Sequence, residues 1–191
     1  MEFKRKKPII ILIGGRARSG KSTLSNFIEE EYKKQNKKVI ISPYTKALKN
    51  YIEIITEEKI TEDNKPRELL QQISSKIIKG ELGYKDFFIK RQIEDIEVYS
   101  YFADVILVPD VRFPEEFRRI KEYFPNVISI GIDRTNYISE LTEEQKNDIT
   151  EISLDNYHDY DFEIKNNEKN DLIIAAKNII SIINERWDEN E

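Results

Sequence analysis

The chain has 191 residues, a formal net charge of −5 and no cysteine. This length suits one domain with a substantial core. The negative charge argues against a nucleic-acid-binding surface, and the lack of cysteine excludes disulfide and thiolate chemistry. The apolar run after Lys7 is too short for a signal peptide, and no stretch approaches a membrane span, so we expect a cytoplasmic protein without a membrane partner.

The first predicted strand leads directly into a phosphate-binding loop. Five consecutive apolar residues, from Ile9 to Ile13, predict a strand that is buried on both faces. The residues after it fit the Walker A pattern G-x-x-x-x-G-K-[ST], and a helical pattern follows. At ordinary residue usage, a chain of this length matches the pattern by accident with a probability on the order of 1%. Its fixed positions are Gly15, Gly20, Lys21 and Ser22.

This loop predicts the binding of a nucleoside triphosphate, taken to be ATP, together with Mg²⁺. Glycines let the backbone turn tightly and bring its N–H groups against phosphate oxygens. Lys21 would reach the β- and γ-phosphates, and the Ser22 hydroxyl would bind the metal ion. A helix that begins near Lys21 would direct its positive end at the same anion. The predicted nucleotide-binding residues are Gly15, Arg18, Ser19, Gly20, Lys21, Ser22 and Thr23.

The remaining chain alternates between helical and strand patterns. Hydrophobic spacing predicts strands at about 39–42, 103–110, 127–132 and 161–165, and helices at about 24–36, 45–55, 66–79, 87–99, 114–124 and 172–183. This alternation predicts βαβ units and a three-layer α/β fold. Its mostly parallel, five-stranded sheet would carry helices on both faces. Residues 1–191 are interpreted as one domain.

Two segments are predicted to have special roles. Residues 43–101 are too long for a simple crossover between parallel strands, so they are interpreted as a helical insertion that binds the second substrate. Its candidate binding residues are Tyr44, Lys46, Arg67 and Arg91. The polar segment 135–151 is interpreted as a lid, because phosphoryl transfer requires that water be kept out.

Polar residues follow the third and fourth predicted strands, where an open α/β sheet binds its ligands. Asp110 could hold the Mg²⁺ shell, contact the acceptor, or cap the turn before Pro114. Arg112 could clamp phosphate oxygens in a bidentate manner, or form a surface ion pair with Glu115 or Glu116. Arg134 could stabilise charge on the transferred phosphoryl group, or be a solvated arginine.

Two stretches together resemble the deoxynucleoside monophosphate kinase family, within the wider group of P-loop nucleoside monophosphate kinases. They are Gly15-Arg-Ala-Arg-Ser-Gly-Lys-Ser22 and Asp110-Val-Arg-Phe-Pro-Glu115. The second stretch is the more discriminating one. Further similar stretches run from Ser42 to Lys49, Arg67 to Gln71, Thr150 to Ser153 and Tyr160 to Asn167, so the resemblance covers nearly the whole chain.

The resemblance implies a P-loop kinase fold and an ATP-dependent enzyme. Its reaction would transfer the γ-phosphoryl group of ATP to a (deoxy)nucleoside monophosphate, giving the diphosphate and ADP. Lys21, Arg112, Arg134 and Asp110 would then be catalytic, Ser22 and Asp110 would hold Mg²⁺, and Asp110, Arg112 and Arg67 would serve the acceptor.

Two other functions are compatible with the same loop. One is a kinase of another phosphorylated metabolite, such as phosphomevalonate, on the same fold. The other is a nucleotide-dependent regulatory module that hydrolyses its nucleotide, although the chain has no guanine-reading N-K-x-D motif. The expected partners are small-molecule substrates, namely ATP and a nucleoside monophosphate, and no nucleic acid. The sequence leaves a homodimer open.

Overall fold

The computed structural model describes residues 4–61, 64, 66–134, 142 and 146–188. Within these ranges, five strands form one parallel sheet in the order β2-β3-β1-β4-β5. The strands are β1 (Ile9–Gly14), β2 (Val39–Ile41), β3 (Val105–Val111), β4 (Val127–Asp133) and β5 (Phe162–Lys165). The predicted α/β fold is therefore confirmed, and all the neighbouring strands of this sheet are parallel.

Helices cover both faces of the sheet. They are α1 (Lys21–Lys34), α2 (Thr45–Thr56), α3 (Arg67–Gln71), α4 (Phe87–Tyr99), α5 (Pro114–Tyr123), α6 (Ile149–Ile152) and α7 (Lys169–Asp188). Side chains of β1 alternate between the two faces. Ile11 and Ile13 belong to the hydrophobic cluster with α1 and α7, whereas Ile10 and Leu12 belong to the cluster with α4 and α5. Burial on both faces explains why this strand is apolar without interruption.

The segment between β2 and β3 has a small hydrophobic core of its own. Leu48 and Ile52 of α2 pack there against Leu70, Ile73 and Ile78. After α3 the chain continues as a π-helix, Gln72–Glu81, and its wider turn is visible in the 2.9 Å bond from Leu82 N to the Ile77 carbonyl oxygen. The predicted helix ended at about residue 79, but the helical winding continues to Glu81. The division into a core domain and an acceptor-binding insertion stays a prediction.

Three strands end at the same edge of the sheet. Gly14 of β1 is paired with Val111 of β3 and with Gly131 of β4. Leu12 of β1 pairs with Val108 of β3, and Gly14 pairs with Val111. Opposite this part of β1, β3 therefore has one extra residue. This bulge contains Pro109, which lacks a backbone N–H, and such bulges commonly redirect a side chain near a site. The segments after β1, β3 and β4 consequently lie together.

Most of the predicted lid, namely residues 135–141 and 143–145, lies outside the described residues. The described remainder includes α6, whose first turn is capped by Asp148: its carboxylate accepts a 2.8 Å hydrogen bond from Thr150 N.

In the described ranges, no helix has both the length and the apolar composition that a membrane span requires.

Candidate phosphate-binding site

The loop between β1 and α1 depends on two glycines. Gly15 has φ 143° and Gly20 has φ 108°, which is backbone that other residues rarely adopt. A Cβ on Gly15 would lie 2.4 Å from the carbonyl oxygen of Ile132, and a Cβ on Gly20 would lie 2.5 Å from Asn166 Nδ2. Both positions therefore exclude a side chain, because neighbouring groups already occupy the space.

Lys21, the first residue of α1, folds back over this loop. Its side-chain nitrogen donates hydrogen bonds to the carbonyl oxygens of Gly15 at 2.7 Å and Arg16 at 2.6 Å. The residue is buried, whereas Ser22 is exposed and Thr23 is half-buried. The N-cap of α1 is Gly20, which has no side chain to cap the helix. The N-terminus of α1, with its partial positive charge, lies at the loop, where it favours an anion.

The hydroxyl of Ser19 gives this loop an unsatisfied polar atom. Ser19 is only 3% exposed, and its Oγ has no hydrogen-bond partner among the described residues. Burying a hydroxyl without a partner costs about 1–3 kcal/mol. A Cβ on Gly15 would lie 2.9 Å from this oxygen, so the hydroxyl is close to the backbone at the start of the loop. A phosphate oxygen would be a suitable acceptor, and the loop therefore fits the predicted triphosphate.

Arg112, in the turn after β3, approaches the loop from the neighbouring strand. Its Nη1 donates to Glu151 Oε1 at 2.9 Å and to the carbonyl oxygen of Gly15 at 3.4 Å. The side chain is 26% exposed. The alternative of a surface ion pair with Glu115 or Glu116 is therefore not what the structure shows, since the described partner of the guanidinium is Glu151.

Arg134 reaches the same loop from the end of β4. Its Nη1 donates a 3.2 Å hydrogen bond to the carbonyl oxygen of Arg18, which has φ 59°. Two arginines from two different strands thus contact the phosphate-binding loop, on either side of β1.

Two acidic residues that the sequence analysis did not select also hold this loop. Glu151 accepts a 2.6 Å hydrogen bond from Ala17 N, and the carboxylate of Asp155 accepts both from Nε of Arg16, at 2.9 Å, and from its Nη2. Glu151 lies in α6, and Asp155 lies in the turn that follows this helix. The sequence offered one signal for Glu151, the similarity of the stretch from Thr150 to Ser153 to the kinase family, but that similarity gave the residue no role.

Asp110 lies at the bulge of β3 and contacts the start of α2. Its Oδ1 accepts a 2.8 Å bond from Tyr44 N, and its Oδ2 accepts from Thr45 N at 3.1 Å and Thr45 Oγ1 at 2.8 Å. It thus satisfies N–H groups at the beginning of α2, and not those of the helix that starts at Pro114. In the described part of the chain, no three acidic, histidine or cysteine residues group together around a metal position.

Glu116 supports the turn that carries Arg112. Its buried Oε2 accepts hydrogen bonds from Arg112 N at 2.7 Å and from Phe113 N at 3.1 Å. Burial raises the pKa of this carboxyl to about 7, although the two backbone N–H groups act in the opposite direction. The sequence analysis considered Glu116 only as an ion-pair partner and did not predict this role.

The candidates in the 43–101 segment lie in different environments. The ring of Tyr44 is 7% exposed and belongs to the core under α4 and α5. Lys46 contacts the Tyr99 hydroxyl and lies 3.9 Å from Asp95, while the exposed Arg91 pairs with Glu94 at 3.3 Å. The described contacts of Lys46 and Arg91 are therefore within α2 and α4. The side chain of Arg67 lies outside the described part of the structure.

A cleft of about 660 Å³ adjoins the phosphate-binding loop. Its lining includes the loop residues 15–19, the end of β4 at 131–134, and the rings of Tyr157 and Tyr160. Basic and aromatic side chains in such a cleft suit a ligand that carries both phosphates and an apolar part.

Three named kinases are among the solved structures that resemble this chain. The Mycobacterium tuberculosis APS kinase CysC in complex with AMPPNP and APS is 9% identical, with a TM-score of 0.57 over 94% of this chain and 99% of that one. A gluconokinase from Sinorhizobium meliloti 1021 is 12% identical, with a TM-score of 0.51 over 98% and 100%. The shikimate kinase from Aquifex aeolicus is 17% identical, with a TM-score of 0.50 over 93% and 98%.

This chain has the P-loop kinase fold. The five-stranded parallel sheet and its surrounding helices match those kinases over almost their full lengths. At these identities the likeness shows the fold alone. No protein-family model matches the sequence, and no curated relative matches it. The resemblance to deoxynucleoside monophosphate kinases therefore remains a hypothesis about the substrate.

Proposed function

We propose that this protein transfers the γ-phosphoryl group of ATP to a nucleoside monophosphate, with a deoxynucleotide as the favoured acceptor. The observation that carries the proposal is the meeting of two arginines at the phosphate-binding loop. Nη1 of Arg112 lies 3.4 Å from the Gly15 carbonyl oxygen, and Nη1 of Arg134 lies 3.2 Å from the Arg18 carbonyl oxygen. Cations on both sides of the loop suit a reaction that brings two polyanions together.

In this proposal, the loop and α1 bind the phosphates of ATP. Lys21 leaves the carbonyl oxygens of Gly15 and Arg16 and pairs with the β- and γ-phosphates, while the unsatisfied Ser19 hydroxyl donates to a phosphate oxygen. Moving a buried ammonium from neutral carbonyls to an anion makes its hydrogen bonds charge-assisted on both sides, and hence stronger.

Ser22 and Asp110 are the residues proposed to hold Mg²⁺. When bound, the ion would neutralise part of the charge on the phosphates of ATP. Ser22 is exposed beside the loop, so its hydroxyl is accessible. Asp110 already accepts hydrogen bonds from Tyr44 and Thr45, so it would contribute through the metal's water shell, since Mg²⁺ retains several waters in such sites.

Arg112 and Arg134 are proposed to stabilise the transferred phosphoryl group. Arg112 uses Nη1 for its described hydrogen bonds, and a guanidinium carries five N–H donors in a planar fork. Its remaining edge suits a bidentate contact with phosphate oxygens. The charge that the two arginines supply is positioned before the reaction, which is the arrangement that lowers a transfer barrier most effectively.

The acceptor is proposed to bind the helical segment between β2 and β3. Its separate cluster around Leu48 and Ile52 would let it move as a unit over the core domain. Arg67, Arg91 and Lys46 remain the proposed partners of the acceptor phosphate. The buried Tyr44 would contribute through its backbone N–H to Asp110, because its ring offers no open face for stacking.

The test is a panel of acceptors assayed for ADP formation in the presence of ATP and Mg²⁺. The proposal predicts that deoxynucleoside monophosphates stimulate ADP release well above the acceptor-independent rate. Including phosphomevalonate in the panel tests the competing hypothesis of a kinase of another phosphorylated metabolite. Gluconate and shikimate are added because kinases of these acceptors have the same fold. Slow hydrolysis that no acceptor stimulates would instead indicate a nucleotide-dependent regulatory module.

A further inference from the structure

One carboxylate joins the two halves of the proposed phosphate site. Glu151 Oε2 accepts a 2.6 Å hydrogen bond from Ala17 N in the phosphate-binding loop. Its Oε1 accepts a 2.9 Å hydrogen bond from Arg112 Nη1, in the turn after β3. The side chain of Glu151 is only 12% exposed, so this bridge is largely shielded from solvent. Neither the Walker A pattern nor the strand-end residues predicted it.

The segment around Glu151 is fastened to other parts of the chain at two points besides the bridge itself. Asp148 caps α6 through Thr150, and the side chain of Gln71 donates a hydrogen bond to Asp148. In the turn after α6, Asp155 forms the bidentate ion pair with Arg16 described above. Glu151 therefore has a defined position relative to both the loop and α3, and does not depend on its own two bonds to stay in place.

We propose that Glu151 is a positioning residue that orients Arg112 toward the phosphate-binding loop. This inference rests on the proposed phosphoryl transfer. By holding Nη1 of Arg112 close to the loop, the carboxylate leaves the other edge of the guanidinium facing outward for phosphate oxygens. Arg112 has several rotatable bonds, so an arginine without this partner would spend much of its time in unproductive rotamers.

The chemistry of the bridge requires a carboxylate of this length. A glutamine could still accept from Ala17 N with its oxygen, but its NH₂ group would face the donor Nη1 of Arg112. An aspartate keeps the charge and is one methylene shorter, so it would reach one partner well and the other poorly. Glu151→Gln thus removes the bond to Arg112 selectively, whereas Glu151→Asp weakens the bridge and keeps its charge.

The test is steady-state kinetics of Glu151→Gln and Glu151→Asp with ATP and the best acceptor. Loss of orientation predicts that Glu151→Gln lowers kcat roughly 10- to 100-fold, while KM for ATP changes less than about threefold. The kcat of Glu151→Asp should lie between those of the wild type and Glu151→Gln. In an Arg112→Lys background, Glu151→Gln should lower kcat less than about twofold, because its effect passes through Arg112. The matched control is Glu122→Gln, which removes an exposed glutamate from its pair with Arg118.

Each outcome decides the inference. An unchanged kcat in a folded Glu151→Gln protein would overturn it, as would an equal further loss in the Arg112→Lys background. Tighter ATP binding with full kcat would also overturn it, because the carboxylate would then be an obstacle to phosphate. If Glu151→Gln does not fold, Glu151→Asp is judged by the same criteria. A wild-type protein without acceptor-stimulated turnover overturns the proposed function and the inference together, whereas an active wild type with unaffected variants overturns the inference alone.

Discussion

Asn166 and Ser19 are joined by a buried hydrogen bond, in which Asn166 Nδ2 donates to the Ser19 carbonyl oxygen at 2.7 Å. The backbone N of Asn166 also donates, at 2.7 Å, to the carbonyl oxygen of Asp133 at the end of β4. The turn between β5 and α7 consequently supports the phosphate-binding loop from a part of the chain 147 residues away. Two predictions concern this support and the glycine at the start of the loop.

Replacing Asn166 with alanine should weaken both the fold and nucleotide binding. The change leaves the buried Ser19 carbonyl without its donor, and we expect a loss of about 1–3 kcal/mol in the free energy of unfolding. The loop should also become less well ordered, raising KM for ATP. Urea unfolding and ATP titration measure the two effects. Asn170→Ala, at an exposed position of α7, is the matched control. Equal stabilities of the two variants would contradict this account.

Gly15→Ala should be far more damaging than Gly83→Ala, although both residues have positive φ. A Cβ on Gly15 meets the Ile132 carbonyl oxygen at 2.4 Å, whereas a Cβ on Gly83 meets no atom within 4 Å. Gly83→Ala should therefore cost about 1 kcal/mol from backbone strain alone. Gly15→Ala should cost at least twice as much and abolish nucleotide binding. Chemical denaturation compares the two variants. Similar losses would mean that the loop can shift to accept a side chain.

The buried Glu116 predicts that stability depends on pH. Its pKa is raised from 4.5 to about 7, mainly by burial. Between these values the folded protein retains a proton that the unfolded chain releases, so this group lowers the free energy of unfolding as pH rises. The stability that protonated Glu116 provides is fully present below about pH 4.5 and is lost as pH rises through about 7. The total loss in the free energy of unfolding is on the order of 3 kcal/mol.

Glu116→Gln is the variant that tests this dependence. A glutamine oxygen can still accept from Arg112 N and Phe113 N, without a buried charge. The variant should therefore gain stability relative to wild type as pH rises from about 5 to about 8, measured by denaturation at each pH. A stability difference that stays constant over this range would show that Glu116 is ionised throughout. Glu115→Gln, on the exposed side of the same helix, provides the control.

Local patterns in the sequence were sufficient to predict the strand, the loop and the α/β architecture. The uninterrupted apolar run from Ile9 to Ile13 reflects burial on both faces, and the loop glycines reflect backbone that only they adopt readily. These features depend on neighbouring residues, which periodicity and spacing can detect. The π-helical winding of Gln72–Glu81 was missed, since its apolar spacing resembles that of an ordinary helix.

The supporting residues of the site could not be predicted in the same way. Glu151 contacts a loop residue 134 positions earlier, and Asn166 contacts one 147 positions earlier. Such pairs depend on the order of strands in the sheet, for which the sequence contains no local signal. Asp110 illustrates the same limit: a capping role was considered for the next helix, whereas the bulge in β3 directs the carboxylate to α2.

The most direct test of the central claim follows the γ-phosphate itself. Wild-type protein is incubated with ATP labelled at the γ-position, Mg²⁺ and a deoxynucleoside monophosphate, and the products are separated. We predict that the label appears in the deoxynucleoside diphosphate in an amount equal to the ADP formed. Lys21→Ala, which removes the charge aimed at the phosphates, should lower this transfer by orders of magnitude while the fold is retained. Label found only in inorganic phosphate, or normal transfer by a folded Lys21→Ala protein, would contradict the account.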